Sequence, residues 1–141
     1  MVINTSLTKA EAAIISFFIA NMQKEFGIRE VSRKAGTDYK NAYNTIQKLV
    51  KKGVLLKRRQ ANLDLCSLSL KGNFAEICFV EMQKTRLFLE KHKTIREFFN
   101  AVMDKTGHIF CTLVVFGSFA KGKETKSSDL DLLIIAPEKG I

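Results

Sequence analysis

Proline occurs once in the 141 residues, tryptophan is absent, and tyrosine and histidine appear twice each. A single proline leaves no room for an extended Pro-rich linker, so most of the chain is expected to be ordered. The three cysteines, Cys66, Cys78 and Cys111, are odd in number and show neither C-x-x-C spacing nor a nearby histidine, which speaks against a disulfide framework or a zinc site. They read as small core residues. No apolar run approaches the ~20 residues of a membrane span, and the N-terminus lacks the charged-then-apolar layout of a secretory signal. No membrane partner and a cytoplasmic location are therefore expected. His92 and His108 stand apart from each other and from obvious ligands, and neither is given a catalytic role.

What is present is a hydrophobic fraction of 46% with 26% charged residues, the balance of a globular chain that buries about two-thirds of its unfolded surface. The net charge of +9 is lopsided. Residues 1–72 hold 13 Lys and Arg against 5 Asp and Glu, a balance of +8, whereas residues 73–141 hold 10 against 9. Such concentration suits a polyanion, because each neutralised phosphate releases condensed counterions. A solvated basic face accounts for the charge equally well.

In the first half, Thr8 and Glu11 form a capping box ahead of Ile14, Ile15, Phe18 and Met22 at helical spacing, predicting a helix to about Lys24. A brief second helix is expected over 29–35, stopped at Gly36. Thr37 or Asp38 then caps a third, in which Ala42, Ile46, Leu49 and Val50 make one apolar stripe ending at Gly53. A strand over 54–59, a turn at 60–62 and a returning strand over 63–70 follow. This order, with the phrase KLVKKGVLLKRR, resembles the winged helix-turn-helix. That resemblance implies a recognition helix over 38–52 lying in the major groove of double-stranded DNA, with Tyr39, Lys40, Tyr43, Asn44, Gln47 and Lys48 near bases or phosphates and Lys57, Arg58 and Arg59 on the wing.

Asn73-Phe74-Ala75-Glu76 opens a helix to about His92 whose apolar residues cover more than one face, as in a helix packed on two sides. Homodimerisation through residues 73–92 is one use for it. A further amphipathic helix is expected from Thr94 to Gly107, with Ile95, Phe98, Phe99, Val102 and Met103 on its stripe.

Ile109 to Phe116 is a continuous apolar run expected to form a strand covered on both faces. It ends at Gly117-Ser118, where a glycine permits a sharp turn and close approach of a ligand, and a hydroxyl is offered beside it. The chain then returns through Asp129-x-Asp131 into Leu132 to Ile135. A strand period of two sends Asp129 and Asp131 to one face, with Cα atoms roughly 6.5 Å apart. Paired carboxylates repel unless a cation lies between them, and hard oxygen ligands suit magnesium shared with phosphates. A solvated strand start is the plainer alternative for the aspartates alone.

Gly117-Ser118, ten residues, then Asp129-x-Asp131 on an apolar strand resembles the DNA polymerase beta-like nucleotidyltransferase superfamily, and the wording GSFAKG and SSDLDLLI resembles its minimal nucleotidyltransferase branch. Lys121 stands where that branch usually shows Arg, keeping the charge and losing the planar fork. The resemblance implies nucleotide binding at Gly117 and Ser118, and a catalytic two-magnesium site at Asp129 and Asp131 that takes an NTP such as ATP and transfers its nucleotidyl group to a hydroxyl acceptor. A third carboxylate, usual in that superfamily, has no good counterpart here, since Glu138 follows Pro137 in an expected loop. A site that is part of a longer chain, completed by another chain, or vestigial is expected. The alternative is a winged-helix regulator whose nucleotidyltransferase-like part only binds nucleotide or dimerises. The expected fold class is α+β: a winged helix over 1–72, a connecting helix over 73–92, and a partial mixed-sheet α/β nucleotidyltransferase domain over 93–141.

Overall fold

A computed structural model describes residues 7–72, 74–105, 107 and 111–136. The chain divides into two compact units, Met1–Phe88 and Leu89–Ile141.

In the first unit, helix α1 (Lys9–Ile19) starts on the expected box: the Thr8 amide donates to Glu11 Oε2 at 2.8 Å, and the Glu11 amide donates to Thr8 Oγ1 at 3.2 Å. The helix is shorter than its apolar spacing suggested. It gives way at Ala20 to turns, and Met22 is half exposed. Strand β1 is the two residues Phe26–Gly27, and α2 (Ile28–Lys34) and α3 (Tyr39–Lys51) follow. Asp38 caps α3 by accepting from the Asn41 amide at 2.9 Å. Gly53, with φ of 75°, supplies the left-handed residue that ends α3 and turns the chain into the hairpin.

The hairpin pairs β2 (Leu55–Gln60) with β3 (Leu63–Leu68), six rungs from Leu55↔Leu68 to Gln60↔Leu63. Strand β1 adds to the far side of β3, with Phe26 opposite Cys66 and Gly27 opposite Leu65, giving the order β1-β3-β2. Three helices with a three-stranded antiparallel sheet in the order α1-β1-α2-α3-β2-β3 is the winged helix-turn-helix topology. Its core is Ile14, Ile15, Phe18, Val31, Ala42, Ile46, Leu49, Val54 and Cys66, all with no exposed surface. Burying each large member contributes about 1.5–3 kcal/mol. Phe17, Phe18 and Phe26 meet edge to face, with centroids 4.8 to 6.1 Å apart.

Helix α4 (Ala75–Lys91) buries Glu76 and Val80 and leaves Met82 and Leu87 more than 60% exposed. Its first turn is held to the winged helix by Lys52. That ammonium lies 3.2 Å from Glu11 Oε1 and 4.0 Å from Glu76 Oε1. Asn73, the expected start of its cap, lies outside the described residues.

The second unit contains α5 (Lys93–Lys105), β4 (Thr112–Phe116), the four-residue helix α6 (Gly117–Ala120) and β5 (Asp131–Ile135). Among the described residues its sheet is one antiparallel pair, with the rungs Thr112↔Ile135 to Phe116↔Asp131. One face of that pair is open, with Val114, Phe116, Leu133 and Ile135 38 to 55% exposed, whereas on the other Leu113, Val115 and Leu132 are half-buried and Ile134 is exposed. The strand expected to be covered on both sides is thus partly covered on one side only. Ile109, Phe110, His108, Pro137 and Glu138 lie outside the described residues. The cysteines differ from one another. Cys66 is buried, and desolvation pushes its thiol up to about 11, whereas Cys78 is exposed and Cys111 is intermediate.

Candidate functional site

The ladder between β4 and β5 builds the turn that carries the chemistry. Phe116 and Asp131 are partners on its last rung, so the carboxylate that opens β5 sits beside the residue that follows β4. That residue is Gly117, with φ of 71°. A methyl group placed on it would fall 1.9 Å from Asp131 Oδ2. Gly117 is therefore required twice, once by the backbone angle and once by the carboxylate pressed against its α-carbon. The chain winds on through α6, where the Lys121 and Lys123 amides donate to the Gly117 and Ser118 carbonyls at 3.3 and 3.0 Å. Among the described residues, the Ser118 hydroxyl has no hydrogen-bond partner, and no cation pairs with Asp129 or Asp131. Asp129 falls before the start of β5 and is exposed. The strand begins two residues later than the apolar alternation suggested, so Asp129 belongs to the loop and Asp131 to the ladder. Lys121 and Lys123 are exposed.

The loop between the turn and the aspartates is held at two points. The Thr125 amide donates to Ser128 Oγ at 2.8 Å, and the Ser128 amide donates to the Thr125 carbonyl at 3.1 Å. Glu124 accepts from Lys91 Nζ at 2.7 Å and lies 3.6 Å from His92 Nε2, while the His92 ring meets Phe119 edge-on at 5.5 Å. The Lys91 ammonium lowers the Glu124 carboxyl below its ordinary value. His92 and Glu124 are the loop contacts that sequence reasoning passed over. A lone histidine at a helix end and a lone glutamate in a polar loop carry no periodic signal, and only the fold brings them together.

In the first unit, α3 presents Lys40, Asn44, Gln47 and Lys51 on the side opposite its buried Ala42, Thr45, Ile46 and Leu49. Tyr39 and Tyr43, 50 and 40% exposed, lie along one flank with ring centroids 6.4 Å apart. Lys48 is exposed one position beyond this stripe. The wing cations separate by strand parity. Lys57 and Arg59 share a face with Leu55, Cys66 and Asp64. Lys57 Nζ reaches Gln47 Oε1 at 3.4 Å and Asp64 Oδ2 at 3.7 Å. Arg58 points to the other face, where its Nε donates to Glu25 Oε1 at 2.7 Å and its Nη2 pairs with Glu25 Oε2. That fork holds the Glu25 carboxyl below its ordinary value and the Arg58 guanidinium above its own.

No helix among the described residues is long and apolar enough to cross a membrane. Residues 95–140 match the family described as Nucleotidyltransferase domain. A Methanocaldococcus jannaschii protein that bears the provisional name of protein adenylyltransferase is 38% identical over 47 residues, 33% of this chain and 47% of that protein. The chain thus spans about half the length of the curated relative it matches. Among solved structures, the regulator MepR of the Staphylococcus aureus efflux pump MepA aligns over 71% of this chain and 80% of its own at 13% identity, with a TM-score of 0.48. BpsR of Bordetella bronchiseptica aligns over 73% and 79% at 14% identity, with a TM-score of 0.48. These last two likenesses are loose, and the winged helix rests on its own strand order and register. The chain joins a winged helix-turn-helix to a segment that matches the nucleotidyltransferase domain family.

Proposed function

We propose that the protein binds double-stranded DNA through α3 and the wing, and that its second unit binds a nucleoside triphosphate with magnesium at Gly117, Ser118, Asp129 and Asp131 for transfer of a nucleotidyl group to a hydroxyl. The observation that carries the second part is the Asp131 carboxylate pressed on the bare α-carbon of Gly117, because no other residue type leaves room for that carboxylate. Two unpaired carboxylates of hard oxygen character fit a magnesium ion. Asp129 and Asp131 would hold it, and when bound it would supply charge neutralisation at the phosphates and Lewis acidity at phosphorus. Gly117 admits the triphosphate close to the backbone, and Ser118 offers it a hydroxyl donor. The loop ties of Glu124 and Thr125 keep this turn in shape before the ligand arrives, which lowers the ordering cost of binding.

The provisional name of the Methanocaldococcus jannaschii relative points to adenylyl transfer onto a protein hydroxyl, and we take ATP as the first nucleotide to test. Calorimetric titration of the full chain with magnesium and ATP should give saturable binding that an Asp129→Ala, Asp131→Ala double variant loses. Equal binding by both proteins would refute the site.

A non-catalytic reading, in which the second unit binds nucleotide and turnover is absent, is favoured by the aspartate pair having no third acidic, histidine or cysteine neighbour among the described residues. The two readings separate on release of pyrophosphate from ATP with an acceptor protein present. The exposed Met82 and Leu87 on α4 support a homodimer through residues 73–92. Light scattering on the purified chain should then report twice its 15.9 kDa mass, and a Met82→Glu, Leu87→Glu variant should run as a monomer.

A further inference from the structure

The first unit contains a cleft of about 340 Å³ between the start of α2, the start of α3 and the tip of the wing. Arg29 enters it from α2, Tyr39 from α3, and Arg59, Asn62 and Asp64 from the hairpin. Arg29 and Arg59 are both exposed, and neither guanidinium pairs with a carboxylate among the described residues. This sets them apart from their neighbours. Arg58 is occupied by Glu25, and Lys57 is shared between Gln47 and Asp64. Asp64 stands directly opposite Arg59 in the ladder, yet its carboxylate lies against Lys57 at 3.7 Å, so the cleft keeps two uncompensated forks and only a partly neutralised acid. Gly27 leaves open space at the wall, since a methyl group there would meet nothing within 4 Å.

Two planar guanidiniums beside a half-exposed aromatic ring and an amide make a recognition set for a phosphate carrying a flat or sugar group. Each fork can take phosphate oxygens in pairs, and a tyrosine face can hold the attached nucleoside. We propose that this cleft is a phosphate site in which Arg29 and Arg59 clamp a nucleotide phosphate and Tyr39 packs on its nucleoside. The phosphate can come from the backbone of bound DNA or from a free nucleotide. The first source rests on the DNA-binding reading above, and the second does not. Arg29 thereby joins the functional surface although it lies outside both the recognition helix and the wing.

Fluorescence anisotropy with a 30-base-pair duplex, run across a salt series, and calorimetry with ATP in EDTA separate the sources, using the full chain, Arg29→Ala/Arg59→Ala and Arg29→Lys/Arg59→Lys. Backbone binding predicts that the alanine pair weakens duplex affinity about tenfold or more and lowers the salt slope by about two. The lysine pair then recovers the slope and only part of the affinity. Free-nucleotide binding predicts that the alanine pair abolishes ATP binding in EDTA and that the lysine pair keeps part of it. Thermal melts check that each variant folds. If wild type binds duplex and the alanine pair binds it equally, with no ATP binding lost, the cleft is overturned while the recognition helix stands. If wild type binds no duplex, the DNA reading falls, and the cleft survives only if ATP in EDTA binds through the two arginines.

Discussion

The two units differ in what their apolar residues do. The first encloses nine side chains completely, and its helices and sheet share one core, so its functional groups stand on a rigid frame. In the second, the only apolar residue under 9% exposed among those described is Ile95, while its two strands turn five large apolar residues to the outside. A lone pair of strands is marginal in water. A DNA-reading surface needs only charged side chains held on a well-packed helix, whereas a nucleotide site needs a backbone turn and a carboxylate kept in contact. In the second unit that contact depends on a five-rung ladder with little beneath it.

Core truncation should expose the contrast most strongly. Phe18→Ala is expected to cost about 3–5 kcal/mol in denaturant unfolding, whereas Phe116→Ala, at a position 50% exposed, should stay within about 0.5 kcal/mol. Comparable losses would mean that β4 is buried after all. Hydrogen exchange should show the same order, with amides of α1 and α3 protected well beyond those of β4 and β5. Next in size is Gly117→Ala, which forces a side chain into the left-handed region and onto Asp131. It should cost about 1–3 kcal/mol of local stability and abolish magnesium-ATP binding. Retained binding would show that the carboxylate moves aside freely.

A smaller effect distinguishes the units by pH. Burial of Glu11 pushes its carboxyl up, but the hydrogen bonds of Thr8 and the ion pair with Lys52 outweigh this and hold it below its ordinary value of 4.5. A carboxyl lowered on folding stabilises the folded state above that value and loses the contribution as pH falls through the lower folded one. The urea midpoint of wild type should therefore drop below about pH 4.5 more steeply than that of Glu11→Gln, and Thr8→Ala should cost about 1 kcal/mol. The smallest change is expected for Arg58→Ala, whose exposed pair with Glu25 should barely move the unfolding midpoint.

These contrasts follow how far each element could be read from local sequence. The capping box at Thr8 and Glu11, the Asp38 cap, the apolar stripe of α3 and the hairpin around Ala61-Asn62 all depend on contacts within a few residues, and all are present as expected. Strand β1 was not legible, because two residues carry no period and their pairing with Cys66 and Leu65 is forty residues distant. The separation of Arg58 from Lys57 and Arg59 was implicit in strand alternation, but the Glu25 that captures it comes from a distant turn. Gly117-Ser118 and the aspartates were legible as letters. That Asp131 presses on Gly117 was not, since it depends on the register of two strands fifteen residues apart, and that register also puts Asp129 outside β5.

The most direct test is an amide chemical-shift map of the labelled full chain during titration with magnesium and ATP. The account predicts saturable shifts at Gly117, Ser118 and Asp131 that vanish in Asp131→Asn. Unmoved amides at those three positions, with ATP and magnesium in excess, would contradict it.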